Sequence, residues 1–483
     1  MKKGDFIEGV VEYTTFPDKG YVFAEGKKIS VKGVLPGQEI RFRLKRNGAE
    51  KAEGELKEVL KRSPEETACP ACPNFGLCGG CSLQTLPYEA QLSLKEEHIR
   101  KLLVPVIRSE ECHFLPIKGS PKAYEYRNKM EFSFGDACKD GPMMLGLHRK
   151  NSMYDIVSAE DCALVHEDVR KIVAAVLSWA RETGLPFYHR MGGNGFFRHL
   201  LVRRAEKTGK ILVDIVSTTQ VEYDFSGLVS SLQKLALEGE IVGILHTRND
   251  SVADVIRDDG TEVLYGVDFF TEELLGLEFR ISPFSFFQTN SLGAEVLYST
   301  ARDFVGETKD RVIFDLYSGT GTIGQMLAPV AKKVIGIEIV EEAVVAAREN
   351  AVRNGLTNCT FLAGDVLKML DEVTDRPDII VLDPPRDGIH PKALTKIIDY
   401  GVDNLVYISC KPTSLARDLA LLQDAGYEVR LVQTVDMFPQ TAHCETVCLL
   451  SNTQRPKKES YITLDVEMED YYRIKNEGKN STT

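Results

Sequence analysis

The chain has 483 residues, of which 43% are hydrophobic and 27% charged, and a formal net charge of −12. Its length exceeds one ordinary hydrophobic core, so roughly two to four domains are expected, and no apolar run approaches the roughly 20 residues of a membrane span. The acidic balance excludes attraction of nucleic acid over the whole surface, since phosphates are met by Lys and Arg, and confines such binding to local basic patches.

Met1-Lys2-Lys3-Gly4-Asp5 opens a polar segment without a signal-peptide core, so a cytoplasmic protein with no membrane association and no obligate protein partner is expected. In that compartment the 11 cysteines are expected to hold metal or do chemistry rather than form disulfides. Residues 1–60 carry short alternating runs such as Phe6-Ile7-Glu8-Gly9-Val10, broken by turn residues at Asp18-Lys19-Gly20 and Pro36-Gly37. Strands of this spacing make a small β-barrel. In Arg41-Phe42-Arg43-Leu44-Lys45-Arg46 the alternation gives one strand face that is cationic and one that is buried. A solvated edge strand accounts for that run equally well.

Residues 61–86 hold Cys69, Cys72, Cys78 and Cys81 at spacings x2, x5 and x2. Two Cys-x2-Cys pairs suit tetrahedral zinc; an iron-sulfur cluster also takes four thiolates, one of which can lie far away. A helix is predicted over Tyr88–Leu103, and residues 87–272 form an α+β middle domain with strands at Met130–Phe134 and Ile211–Val216. Within it basic and aromatic residues interleave at Tyr124, Tyr126, Arg127 and Lys129, at His148, Arg149 and Lys150, and at Phe196, Phe197, Arg198, His199, Arg203 and Arg204. Such mixtures suit unpaired RNA, although each alone is no more than an ordinary basic face.

From residue 273 to 453 strand and helix patterns alternate, which predicts an α/β domain with a parallel, Rossmann-like sheet. Val312–Tyr317 is a buried-strand run feeding Ser318-Gly319-Thr320-Gly321-Thr322-Ile323-Gly324, a turn that lets a ligand approach a helix N-terminus. The next strand ends in Glu338, where a carboxylate can accept from ribose hydroxyls. Asp365 ends the third strand and could meet an adenine amino group, and Asp383-Pro384-Pro385-Arg386 follows the fourth. Taken singly, each acid is as readily a cap or surface residue, and a nicotinamide cofactor uses the same physics. As an ordered set on successive strand ends they favour S-adenosylmethionine.

Cys410 follows the apolar run Leu405–Ile408, in Ser409-Cys410-Lys411-Pro412. Position alone allows a buried structural cysteine, the assignment given to Cys359 and Cys448. The order of motifs points instead to methyl transfer onto a pyrimidine. A thiolate adding to carbon 6 of uracil makes carbon 5 nucleophilic enough to take a sulfonium methyl, after which a base must remove the carbon 5 proton. Glu445, after His443-Cys444, is chosen as that base, and Lys411 as a source of thiolate character.

On these motifs, from the N-terminal barrel to about Ser451, the chain resembles the RNA 5-methyluridine methyltransferases that modify bacterial 23S ribosomal RNA and tRNA. The resemblance implies a class I S-adenosylmethionine methyltransferase domain with Cys410 as nucleophile and Glu445 as base. It implies cofactor contacts at Gln288, Tyr317, Glu338 and Asp383, beside Gly319 and Asp365. The family's usual Ser-Cys-Asn-Pro stands here as Ser-Cys-Lys-Pro. Family members hold a [4Fe-4S] cluster through Cys-x5-Cys-x2-Cys and a distant cysteine, a pattern that falls on Cys72, Cys78, Cys81 and Cys162; zinc is the alternative. The barrel resembles the TRAM domain, an OB-like RNA-binding fold, and the segment 87–104 is expected to pack on the catalytic domain. The implied partner is RNA, ribosomal rather than transfer RNA, entered at an unpaired or flipped uridine. The rivals are a tRNA uridine-5-methyltransferase and a nucleic-acid amino-group methyltransferase using the Asp-Pro-Pro turn. Residues 454–483 form a charged extension of unassigned role.

Overall fold

In the computed structural model, which describes residues 1–48, 51–253 and 255–454, the described residues form four sheets. The expected C-terminal extension therefore lies, apart from Gln454, outside the described residues. Two compact units do not follow chain order: one gathers residues 1–95, 120–294 and 438–443, the other residues 96–119, 295–437 and the segment from Cys444 onward. Residues 273–294, placed by sequence with the catalytic domain, belong to the first unit, and residues 96–119 to the second.

The first unit begins with a six-stranded sheet in the order Phe6–Val10, Glu39–Asn47, Ala52–Lys61, Lys27–Lys32, Lys19–Ala24, Tyr13–Thr15. Alternation turns Val22, Ile29, Val31, Ile40, Phe42 and Leu44 into one buried core. Gly54 lets that core close, because a Cβ there would lie 2.3 Å from the Phe42 ring. On strand Glu39–Asn47 the basic residues do face away from the core, but Arg41 is paired with Glu8 and Glu58, and Lys45 with Glu55.

A seven-stranded sheet follows, with Lys129–Asp136, Phe197–Arg204 and Lys210–Ser217 at its centre. Helix Glu167–Thr183 packs Val169, Ile172, Val173, Val176 and Ala180 into the core beside that sheet, the spacing of one helical face. The expectation that Phe196–Arg204 contacts RNA is corrected here, since every residue of strand Phe197–Arg204 is buried. Arg198 donates to the carbonyls of Asn249 (2.8 Å) and Ala253 (2.9 Å), Arg203 to that of Pro283 (2.8 Å), and Arg204 pairs with Asp168 (3.0 Å). A central strand covered on both faces buries whatever it carries. The forked guanidinium survives there because carbonyls and a carboxylate accept from it. Tyr126 is buried as well, its hydroxyl donating to the Pro439 carbonyl at 3.0 Å.

The second unit holds an eight-stranded sheet in the order Cys359–Ala363, Ala331–Glu338, Thr308–Leu316, Ile379–Leu382, Asn404–Ser409, Glu445–Asn452, Tyr427–Val435, His113–Lys118. Its first five strands are parallel and joined by helices, as the alternating pattern predicts. Chain order reverses between Thr308–Leu316 and Ile379–Leu382, the switch point at which open α/β sheets bind ligands. Strand Glu445–Asn452 runs antiparallel to both neighbours.

Candidate active site

That antiparallel strand builds the site. It starts where its neighbour ends, and the register Ser409↔Thr446 sets Cys410, just past one strand, beside Glu445, at the head of the other. Leu382 pairs with Tyr407 on the opposite flank, so Asp383-Pro384-Pro385-Arg386 leaves the sheet at the same edge. Cys410 is half-buried, Glu445 only 3% exposed, and Arg386 exposed.

Burial, reinforced by the Glu445 and Asp383 carboxylates, pushes the Cys410 thiol up to about 11, and the Arg386 guanidinium opposes the rise. Burial likewise raises Glu445 well above the usual carboxylate range, Asp383 adding to the shift and Arg386 resisting it. Asp383 itself is pushed up to about 7 by burial. A thiol and one reluctant carboxyl, that of Glu445, thus share one arginine. Helix Pro412–Asp424 starts directly after the nucleophile with proline in its first turn, and its N-terminal dipole also favours a thiolate. The cation expected from sequence, Lys411, is not the one that bears on Cys410; Arg386 is, and the only signal for it was its place at the end of the Asp-Pro-Pro turn.

The same helix fixes the arginine loop. Ser414 Oγ donates to the Arg386 carbonyl (2.7 Å), Arg417 Nη2 to the Asp387 carbonyl (2.8 Å), and the fully buried Asp418 accepts from the Ile389 amide (2.9 Å). Asp418 also accepts from the Tyr407 hydroxyl at 2.7 Å. Gly388 bends this loop at φ 76°, and a Cβ there would lie 2.6 Å from Asp418. No motif in the sequence singles out Ser414 or Asp418, so this clamp was not foreseen.

At the end of strand Thr308–Leu316, Tyr317 takes a left-handed φ of 67°, a conformation a non-glycine residue holds at a cost. Burial and the nearby Asp365 and Asp418 carboxylates push its hydroxyl up to about 12. Gly319 donates its amide to Glu338 Oε2 at 3.0 Å, and Val340 to Oε1 at 2.9 Å, so Glu338 ties the glycine turn to the neighbouring strand end. Asp315, fully buried, accepts from the Gly324 amide at 2.8 Å, and burial together with Asp383 pushes it up to about 7. Asp365 caps helix Val366–Glu372, its Oδ1 accepting from the Leu367 amide at 2.8 Å. The half-buried edge formed by Tyr317, Gly319 and Glu338 offers the carboxylate and open backbone that a ribose-bearing ligand needs. Gln288 lies in the first unit, on a segment whose backbone is held by Arg203 at Pro283 and Ser285 and by Asn128 Nδ2 at the Gln288 carbonyl (2.9 Å).

Also in the first unit, Cys72, Cys78, Cys81 and Cys162 line one cavity, walled by Phe75 and Leu147. Burial pushes the Cys81 thiol up to about 12 and raises Cys78 and Cys162. None of the lining side chains is basic. Among the described residues no three His, Cys, Asp or Glu side chains draw together closely enough to hold a metal ion, and these four thiols surround a space rather than a point. Such a donor set fits a group that brings its own positive charge and has some breadth. Cys69 is exposed and is not part of the lining.

The family model described as tRNA (uracil-5-)-methyltransferase matches residues 240–453. An uncharacterized RNA methyltransferase of Clostridium tetani is 48% identical over 447 residues, 92% of this chain and 98% of the relative. Another from Caldanaerobacter subterraneus is 48% identical over 453 residues, covering 94% and 100%. Among solved structures, the Pyrococcus abyssi tRNA (uracil-54, C5)-methyltransferase in complex with S-adenosyl-L-homocysteine superposes with a TM-score of 0.72 at 26% identity, over 92% of this chain and 100% of that one.

Proposed function

Because the chain belongs to the RNA (uracil-5-)-methyltransferase family, we propose that it methylates carbon 5 of one uridine in 23S ribosomal RNA through a covalent bond from Cys410. The observation that carries this is the accessible Cys410 thiol set beside the buried Glu445 carboxyl at the sheet's ligand edge. S-adenosylmethionine supplies the electrophilic methyl, with Tyr317, Gly319, Glu338, Asp365, Asp383 and Gln288 as its contacts. Cys410, drawn toward thiolate by Arg386, adds to carbon 6 of the uracil and leaves carbon 5 electron-rich. Carbon 5 takes the methyl as the sulfonium–methyl bond breaks and the thioether S-adenosylhomocysteine departs; ionised Glu445 then takes the carbon 5 proton, the carbon 5–carbon 6 double bond re-forms and the thiolate leaves. Burial makes Glu445 a stronger base than a solvated carboxylate. A uridine in a perfect duplex cannot reach Cys410, so the substrate is unpaired or extruded.

The four-thiol cavity is proposed to hold a [4Fe-4S] cluster through Cys72, Cys78, Cys81 and Cys162, with a structural role, since methyl transfer needs no electron. Iron content and visible absorbance of anaerobically purified protein test this; one zinc and no iron ends it. No helix among the described residues is long and apolar enough to cross a membrane. The proposed setting is the cytoplasm, where thiols stay reduced. The catalytic proposal is tested by trapping. RNA bearing 5-fluorouridine forms a stable adduct with the wild-type chain and none with Cys410→Ala; an amino-group methyltransferase forms none with either. Mapping 5-methyluridine in total RNA with and without the gene separates 23S ribosomal RNA from tRNA, the target of the Pyrococcus protein named above.

A further inference from the structure

The wall of the four-thiol cavity includes a polar side chain with an unused donor. Gln84 follows Cys81 on a segment held at several points. The Ser82 and Leu83 amides both donate to the Gln440 carbonyl, at 2.9 and 3.1 Å, and Leu83 and Leu86 form a small core with Leu35. With its backbone fixed in this way Gln84 turns inward: it is 1% exposed and lines the cavity beside the cysteines.

The two ends of the Gln84 amide are in different surroundings. The Cys72 backbone donates to Gln84 Oε1 at 3.1 Å, and because an N–H can only donate, the amide oxygen must stand at that end. Nε2 therefore occupies the other end, where among the described residues it meets no hydrogen-bond partner. A buried donor left unmade is as costly as a lost hydrogen bond, so its presence calls for an acceptor. Sulfur is the acceptor at hand. Burial pushes the Cys81 thiol up, and the Gln84 amide is the group that draws it back. A neutral thiol accepts weakly, whereas an ionised partner makes a much stronger bond. Two other sulfurs of the set have backbone donors, the Gly80 amide to Cys78 Sγ at 3.3 Å and the Leu164 and Val165 amides at Cys162. Those come with the loop itself; the donor at Cys81 depends on one replaceable side chain.

We infer that Gln84 is an outer ligand of the cluster: its Nε2 donates to the Cys81 sulfur once that sulfur is a metal-bound thiolate, and thereby protects the cluster against oxidative loss. The inference rests on the proposal that this cavity holds a [4Fe-4S] cluster. Hydrogen bonds to the sulfurs are one of the levers that set the potential of such a cluster. A donor stabilises the more negative member of each redox couple, so it eases one-electron reduction and hinders the one-electron oxidation by dioxygen that precedes release of iron. That suits a cluster whose role is structural.

The test uses the full chain, purified anaerobically, with its iron content measured first. Gln84→Leu removes the donor at similar volume; Gln84→Glu keeps an oxygen for the Cys72 amide but, when ionised, offers the sulfur no N–H. In both variants the midpoint potential for reduction by dithionite, followed by visible absorbance and EPR, is expected to be more negative than in wild type. The shift is larger for Gln84→Glu, because a carboxylate adds negative charge. In air with an iron chelator both should release iron roughly tenfold faster than wild type, as for the loss of other outer-shell partners. A residue that only braced the fold would lower cluster content and melting temperature and leave the potential of the remaining clusters unchanged, and that result overturns the inference. A further measurement needs no variant. The wild-type chain is labelled with nitrogen-15 in its glutamine side-chain amides and reduced, and pulsed EPR should then show a nitrogen-15 coupling to the cluster, from the glutamine that lines the cavity. Absence of that coupling overturns the inference even where neither variant holds a cluster. Failure of the cluster proposal looks different: a wild-type chain with one zinc and no iron ends both, whereas full iron with unchanged potential in the variants ends only the role of Gln84.

Discussion

Cys410 and the Cys78, Cys81 and Cys162 thiols of the four-cysteine cavity are half-buried, and burial favours their protonated form, yet the tasks proposed for them are opposite. Beside Cys410 stands a guanidinium, carried on a loop clamped by Ser414, Arg417 and Asp418; around the four-thiol cavity no lining side chain is basic. A thiol with its counter-charge built in can ionise when a substrate arrives and be released afterwards. Thiols without one stay neutral until something positive binds and remains. Burial alone does not distinguish a nucleophile from a ligand; the fixed charge next to it does.

The sharpest way to break this comparison is Cys410→Ala, which is expected to abolish the 5-fluorouridine adduct and lower turnover about 10^4-fold or more. Residual turnover near wild type would move the chemistry elsewhere. Glu445→Gln comes next: turnover falls by roughly 10^2–10^4-fold, as for loss of a general base. Denaturing gels should nevertheless show the RNA adduct accumulating, because the nucleophile stays while the carbon 5 proton, whose removal releases the thiolate, has lost its acceptor.

Arg386→Gln probes the counter-charge itself. With a thiol near 11 the rate of adduct formation in the wild-type chain should climb as pH rises from neutrality. Removing the arginine lifts the thiol further, so the variant is slower at neutral pH by about tenfold for each pH unit of that lift. Alkaline buffer should recover part of the loss. A variant whose deficit is independent of pH would assign Arg386 to substrate binding instead. On the other side of the comparison, Cys81→Ser should lose iron and visible absorbance together while a minimal hairpin still forms the Cys410 adduct; full iron retention would remove Cys81 from the ligand set.

The smallest effect is expected where a buried acid has no counter-charge at all. Asp214 is 1% exposed, its Oδ2 accepts from Thr247 at 2.9 Å, and burial pushes it up to about 7 from an ordinary value of 3.8. A carboxyl raised in the folded state stabilises the fold fully only below its unfolded pKa, and that contribution is lost as pH rises through the folded one. Asp214→Asn should therefore melt above wild type by a margin that widens between pH 4 and 7 and then levels off, on the order of 4 kcal/mol at its plateau. A margin that is flat with pH would mean that Asp214 stays ionised.

Much of this molecule could be read in advance wherever local pattern decides structure. The glycine turn at Ser318–Gly324, the alternation that makes the N-terminal sheet, and the strands at Met130–Phe134 and Ile211–Val216 all depend on neighbours in sequence. Strand Phe197–Arg204 deceived because its charge is satisfied by carbonyls more than fifty residues away, which no periodicity reveals. Asp365 turned out to cap a helix, a role its position before Val366 already allowed. Arg386 and Asp418 matter through one loop packed on one helix, a tertiary contact that leaves no trace in spacing.

The ladder joining Asn404–Ser409 to Glu445–Asn452 has one further consequence. Because hydrogen-bonded register, and not the connecting chain, sets the gap between sulfur and carboxyl, the stretch between these strands is free to drift in length and composition at its turns. A single-residue deletion inside strand Glu445–Asn452 would exchange the two sides of its pleat and is expected to part the Glu445 carboxyl from the Cys410 sulfur in a chain that still folds.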